Sequence, residues 1–266
     1  MHYLKKALKS IFSDYLISKF SGIFYGWHGN YSSWDEASKK CTGYDEKQIL
    51  EKVLISSLKV KNGEIPFEQD SVPFEKIKYS FPVLASLMWI ATQKGNKLYV
   101  LDFGGSLGTG YYQNSQFLET LSEVNWCIVE QQHFVDEGLK YFEDDNLHFF
   151  SSINSCTEKY HINVILLSSV ISYIEKPYEL LEDILAREFE YILIDRTLFV
   201  ENDKDRLTIQ TVPEKIYKAS YCCWLLSESK FLKLLSVNYE LIYDFDTPGR
   251  INIKSLYKGY LFKRKK

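Results

Sequence analysis

Residues 98–110 read Leu98-Tyr-Val-Leu-Asp-Phe-Gly-Gly-Ser-Leu-Gly-Thr-Gly110, an apolar run that ends in an acid and breaks at once into glycines. A strand that stops this way feeds a tight turn and then a helix N-terminus, the layout of a nucleotide-type cofactor site. Leu98 to Leu101 with polar punctuation on either side predict a short strand buried on both faces, as in a parallel sheet. Gly104, Gly105 and Gly108 would then let backbone pass close to a ligand. A nicotinamide dinucleotide needs glycines at the first, third and sixth positions of such a turn, and no register here supplies them. Starting at Gly104 puts Ser106 and Thr109 at the required places, and starting at Gly108 puts Gly110 and then Gln113.

A second apolar run, Trp126-Cys-Ile-Val-Glu-Gln-Gln132, also terminates in an acid. A carboxylate at the tip of a second strand can accept both hydroxyls of a ribose, so Glu130, with Gln131 beside it, is a candidate cofactor contact. The alternative is an ordinary solvated strand end.

From residue 98 onward strand-like and helix-like stretches alternate, which implies an α/β fold with a mostly parallel sheet covered on both faces. The strands expected are 98–102, 126–130, 147–150, 163–167, 190–195, 239–245 and 255–263, and the helices between them 111–122, 133–142, 177–187 and 226–237. The last two strands have no helix between them and should form a hairpin. Residues 1–93 read as a helical and aromatic extension, and 94–266 as the cofactor-binding domain.

Within the extension, Leu4, Leu8, Ile11, Phe12, Tyr15 and Leu16 recur at helical spacing, so residues 3–20 should be an amphipathic helix. Its basic face could rest on an anionic membrane surface, or it could pack on the domain with its lysines solvated. The stretch from Phe20 to Ala37 is dense in glycine and aromatic residues. It could cover a bound cofactor, with Tyr31 and Trp34 touching substrate, or serve only as packing. Ser33 looks like a helix start, Asp45 a helix cap, 66–73 a polar connection, and 81–93 an apolar helix.

The net charge of −3 gives no broad footprint for nucleic acid. The five cysteines show no C-x-x-C spacing, so neither a disulfide framework nor a zinc site is suggested and no metal is expected. No signal peptide is evident, and 81–91 is too short to cross a bilayer, which together predict a soluble cytoplasmic protein.

The spacing of Val100, Leu101, Asp102, Gly104 and Gly108 resembles motif I of class I S-adenosylmethionine-dependent methyltransferases, with Ser106 where the middle glycine usually stands. Read together, Trp27-His-Gly-Asn-Tyr-Ser-Ser-Trp-Asp-Glu-Ala37, Gly43-Tyr44, Leu101 to Gly108, Val129-Glu-Gln131, Leu166-Leu-Ser-Ser-Val170, Ile194-Asp-Arg-Thr197 and Gln210-x-Val-Pro-x-x-Ile-Tyr-x-Ala-Ser-Tyr221 with Trp224 are similar to a bacterial methyltransferase family often associated with surface polysaccharide gene clusters.

The resemblance implies a Rossmann-like, seven-stranded sheet and S-adenosyl-L-methionine as cofactor. It implies contacts to that cofactor from Asp102, Gly104, Gly105, Ser106, Gly108, Glu130 and Gln131. Ser152 and Ile153 would follow the third strand, where many such enzymes carry an acid for the adenine amine, and Ser168 and Ser169 would follow the fourth.

Methyl transfer to an alcohol needs in-line approach and removal of the hydroxyl proton. Candidate bases are His133, three residues past Glu130, and Asp195 with Arg196 after the fifth strand; a capping histidine and a structural ion pair are the alternatives. Tyr173, Gln210, Tyr217, Tyr221 and Trp224 are candidate substrate contacts. Trp224 could stack on a sugar, or be core. The functions in play are O-methylation of a sugar in a small molecule or glycan, N-methylation of an amino sugar or small amine, and a non-catalytic cofactor-binding scaffold partner in glycan assembly.

Overall fold

The computed structural model describes residues 26–42, 46–69, 71–213, 219–249 and 251–266. The expected helix at 3–20, Tyr44, the Asp45 cap and Tyr217 lie outside these residues.

Five parallel strands make the centre: β4 (Lys97–Phe103), β5 (Glu123–Val129), β6 (Leu147–Phe150), β7 (Val164–Ser168) and β8 (Tyr191–Val200). Each is a run of apolar residues with both faces covered, as a parallel sheet requires; Val100 and Leu101, Ile165 and Leu167, and Ile192 and Ile194 are all fully buried. The strand order is β6-β5-β4-β7-β8. The chain therefore runs outward from β4 to β6 and then returns to β7 on the other side of β4, and ligands bind at the carboxyl ends of strands at such a reversal.

The expected terminal hairpin is β11 (Tyr239–Asp246) and β12 (Leu256–Arg264), with β12 antiparallel to β8. The seven expected strands are all present, and the sheet has ten. The other three are β1 (Gly26–Tyr31), β9 (Arg206–Thr211) and β10 (Ser220–Ser227), an antiparallel annex that joins β8 through Leu226 and Ser227 of β10. A separate two-stranded ribbon, β2 (Phe67–Gln69) and β3 (Val72–Phe74), stands where a polar connection was expected.

Two cores flank the sheet. One holds Val100, Trp126 and Leu193 with residues of α2 (Glu46–Lys61), α3 (Phe81–Gln93), α4 (Thr109–Leu118) and α5 (Gln132–Tyr141). The other holds Leu101, Cys127 and Ile165 with residues of α6 (Ile153–Lys159), α7 (Pro177–Ala186) and α8 (Glu228–Leu235). Helix α4 begins two residues before its expected start because Gly108, in the left-handed region at φ 97°, is its cap. Helix α8 begins two residues late because Leu225 and Leu226 complete β10 and the Ser227 hydroxyl caps the helix by accepting from the Lys230 N–H. Short α1 (Trp34–Ser38) starts at Ser33 as expected, with the Ser33 hydroxyl accepting from the Glu36 N–H. Among the described residues no helix is long and apolar enough to cross a membrane.

Candidate functional site

The turn after β4 lies at the reversal of strand order. Gly104 has φ 75°, and a Cβ there would come within 2.7 Å of Val170 Cγ2, so this position needs glycine on two counts. A Cβ on Gly105 would stand 2.6 Å from the Asp102 carboxylate. Ser106, where a glycine would be usual, has φ 56° and takes the left-handed conformation despite its side chain. The turn thus presents bare backbone across the gap between β4 and β7.

Two acids support it from below and beside. Asp102 is 4% exposed and accepts a hydrogen bond from the Trp126 indole at 3.0 Å. Burial pushes it up to about 7, against the Trp126 bond, which favours its anion. Glu130, at the tip of β5, accepts from the Ser106 N–H at 3.3 Å and from the Gln131 N–H at 2.8 Å, one on each oxygen. Each oxygen keeps a lone pair for a further donor. Burial raises its pKa, and the two backbone bonds and nearby His133 oppose that.

Across the reversal, the tips of β7 and β8 are tied together. The Ser168 hydroxyl donates to Asp195 Oδ2 at 2.8 Å, and the Ser169 N–H donates to the Asp195 carbonyl at 3.0 Å. Asp195 is 4% exposed, and its Oδ1 is buried, with the Thr247 hydroxyl also close to the carboxylate and holding its pKa down. Arg196 Nε lies 3.6 Å from Oδ2. Burial raises the Asp195 pKa, while Arg196 and Ser168 hold it down. Ser169 and Arg196 both adopt positive φ, 58° and 47°, and such conformations cluster at functional sites.

The segment from Ser168 through the 3₁₀ turn Ile171–Tyr173 links three parts of the site. Val170 packs on Gly104, Ser168 holds Asp195, and the Tyr173 hydroxyl donates to Gln210 Oε1 at 2.7 Å while its ring meets Tyr221 edge-on at 5.3 Å. Tyr173, Gln210 and Tyr221 are therefore brought together, on the segment that follows the Ser168–Asp195 bond. The Ser172 hydroxyl, also in this turn, is buried without a hydrogen-bond partner.

Other candidates go elsewhere. Trp34 and Trp224 stack on each other at 6.3 Å, and both pack with Tyr31 against Leu207, Ile209 and Cys222 on the opposite face of the annex from Gln210 and Tyr221. Alternation along β9 and β10 dictates this split, since side chains one position apart point to opposite faces. The stretch around Tyr31 and Trp34, for which the sequence leaves cover and packing both open, forms strand β1 and helix α1, with Tyr31 and Trp34 packed against the annex. The Ser152 hydroxyl caps α6 by accepting from the Ser155 N–H, and Ile153 is buried in the core beneath. Gln131 is exposed at the start of α5.

His133 sits half-buried near Glu130, on the β5 side. The tips of β5 and β8 are three strand spacings apart, about 14 Å, so His133 and Asp195 serve different places. Trp27, which heads one of the resembling motifs without being a candidate substrate contact, lies beside Gln210 in the β1–β9 pairing. The cue was in its glycine-rich setting, but only the register shows which face it takes. Among the described residues no cluster of three or more His, Cys, Asp or Glu is placed to hold a metal ion.

No protein-family model matches this chain, and no curated protein matches it significantly. Among solved structures, the N-terminal domain of EvdMO1 in the presence of SAH and D-fucose is 14% identical, covering 83% of this chain and 97% of that one, with a TM-score of 0.47. Magnesium protoporphyrin IX methyltransferase (ChlM) from Synechocystis PCC 6803 with bound SAM is 12% identical, covering 84% and 99%, with a TM-score of 0.45. The mitomycin 7-O-methyltransferase MmcR is 14% identical, covering 69% and 54%, with a TM-score of 0.43. The ligand chemistry of the site rests on its own residues.

Proposed function

We propose that this chain is an S-adenosylmethionine-dependent methyltransferase that O-methylates a sugar hydroxyl, on a nucleotide sugar or a growing glycan in surface polysaccharide assembly. One observation carries the reading: at the reversal of strand order, a left-handed glycine turn too tight for side chains at Gly104 and Gly105 is bonded at Ser106 to the strand-tip carboxylate of Glu130. Bare backbone beside a carboxylate with spare lone pairs fits a nucleoside with vicinal hydroxyls, and the glycine spacing does not fit a dinucleotide.

When bound, the cofactor supplies an electrophilic methyl group on a sulfonium. Glu130 would accept the two ribose hydroxyls, and Gly104 to Gly108 would admit the chain of the ligand. Asp195 would take the acceptor's hydroxyl proton, with Ser168 fixing its Oδ2 and the Arg196 guanidinium favouring the anion needed to take it. The carbohydrate acceptor is supported by the paired aromatic and amide groups of Tyr173, Gln210 and Tyr221, and the polysaccharide setting by the motif resemblance.

Calorimetry with S-adenosylhomocysteine and NAD tests the assignment. The first should bind and the second should not, and Glu130→Ala should weaken binding of the first by roughly 2–4 kcal/mol, the value of two charge-assisted hydrogen bonds. Tight NAD binding, or an unchanged affinity in the variant, would overturn it.

A further inference from the structure

We propose that Trp27, Gln210 and Tyr221, a row across the three annex strands roofed by Tyr173, form a subsite for a pyranose ring, with Trp27 the surface on which the ring stacks. The proposal rests on the carbohydrate reading above and adds the place and the residues.

Trp27 pairs with Gln210 and Gln210 with Tyr221, so the three side chains leave the same face of the annex side by side. Successive strands are about 4.8 Å apart, which makes the row about 10 Å long, enough for one hexose. Tyr173 lies five residues beyond Ser168, so one short segment carries both the roof of the row and the hydroxyl that holds the proposed base.

The chemistry of the row matches a sugar. A pyranose has an apolar face of C–H groups and a rim of hydroxyls, and an indole takes the first while amide and phenol groups take the second. Gln210 Oε1 is occupied by the Tyr173 hydroxyl, which orients the amide, and its Nε2 donors have no partner among the described residues. All four side chains are half-buried: Trp27 and Tyr173 rest against Leu198, Val200, Cys223 and Leu225, and each residue of the row keeps part of its surface exposed.

Trp27 is held unusually firmly for an edge-strand residue. Its indole N–H donates to Cys223 Sγ at 3.2 Å, its backbone N–H donates to Asn252 Oδ1 at 2.8 Å, and its carbonyl accepts from Asn252 Nδ2 at 2.9 Å. A surface fixed before binding loses little entropy when a ligand arrives. The other aromatic candidates of this region, Trp34 and Trp224, are packed on the opposite face.

The test uses the full chain with S-adenosylhomocysteine and three probes: UDP-glucose, GDP-mannose and UDP-N-acetylglucosamine. Saturation-transfer NMR should show contact to the hexose ring protons of at least one probe. Trp27→Ala and Gln210→Ala should each weaken that probe about tenfold or more, while Trp27→Phe, which keeps an aromatic face, stays within about threefold. Affinity for S-adenosylhomocysteine should be the same in all variants, which also shows that they are folded. If the homocysteine ligand binds but no probe does, or if probe affinity ignores both alanine variants, the subsite is wrong and the cofactor assignment stands. If the homocysteine ligand fails to bind while a probe binds and depends on Trp27, the subsite stands and the methyltransferase reading falls. Failure of both ligands overturns both.

Discussion

The two buried aspartates of this site face opposite demands. As the proposed base, Asp195 must be ionised to accept a proton, and burial raises its pKa, so turnover should fall as pH drops through a value above the ordinary aspartate range. Asp195→Asn should lower kcat by about 10²–10⁴-fold with cofactor affinity intact, measured with whichever acceptor is found. Near-normal turnover in that variant would point to an amine acceptor, which is nucleophilic without a base. Asp102 has no such task, and its folded pKa of about 7 has a cost in stability. The unfolded side chain titrates near 4, so the folded state binds the proton more tightly and loses stability as pH rises from about 4 to about 7. Asp102→Asn keeps an acceptor for the Trp126 indole and has no charge to bury. It should match the wild type near pH 4 and be more stable at pH 8 by up to roughly 4 kcal/mol in urea unfolding. A gap that does not widen with pH would show that Asp102 is not held protonated.

The turn between β4 and α4 shows what its sequence specifies and what it hides. Ser106 adopts the left-handed angle that glycine would have supplied. Ser106→Val puts a branched Cβ into that conformation and should cost about 1–3 kcal/mol, whereas Ser106→Gly should be neutral within about 0.5 kcal/mol or slightly stabilising, read from thermal unfolding. The turn, and the parallel strands around it, are legible because uninterrupted apolar and aromatic runs ending in Asp102, Glu130 and Asp195 have few other physical meanings. The annex is not legible in that way. Strand β9 mixes Thr208 and Gln210 with Leu207 and Ile209, a half-buried alternation that an extended loop shares, and β10 runs its apolar residues straight into α8 with only Ser227 to divide them. Assigning Trp224 to packing and Tyr221 to the site therefore needed the strand register, which no local pattern contains. Glu130 was readable as a strand tip, but its bond to Ser106 joins residues 24 positions apart.

Across the whole molecule, the site is closed by pieces from distant parts of the chain. Gly104, Asp195 and Gln210 come from one stretch of the fold, while Trp27 comes from the N-terminal side and is fastened by Asn252, 225 residues later. Arg206 adds two further bonds to the Gly29 carbonyl, at 3.0 and 2.8 Å. Asn252→Ala removes both side-chain bonds to the Trp27 backbone, so amides of residues 26–31 should exchange about tenfold faster while those of β4, β5 and β7 keep their protection. Uniform change across the sheet in hydrogen-exchange mass spectrometry would show that β1 does not open on its own.

The position of β1 also fixes an order of events during synthesis. Gly29 and its partner Arg206 lie 177 residues apart, which at ordinary ribosomal speeds is about 10–35 seconds of elongation. Through that interval the strand has no neighbour to pair with, and the tryptophan proposed to hold a sugar has nothing behind it. The parallel sheet can be assembled before the ribosome reaches β10, so the acceptor side of the site is the part made first and finished last. Pairings so far apart in the chain slow folding and lengthen exposure to wrong partners. A newly made chain should therefore acquire its cofactor side before it can recognise an acceptor.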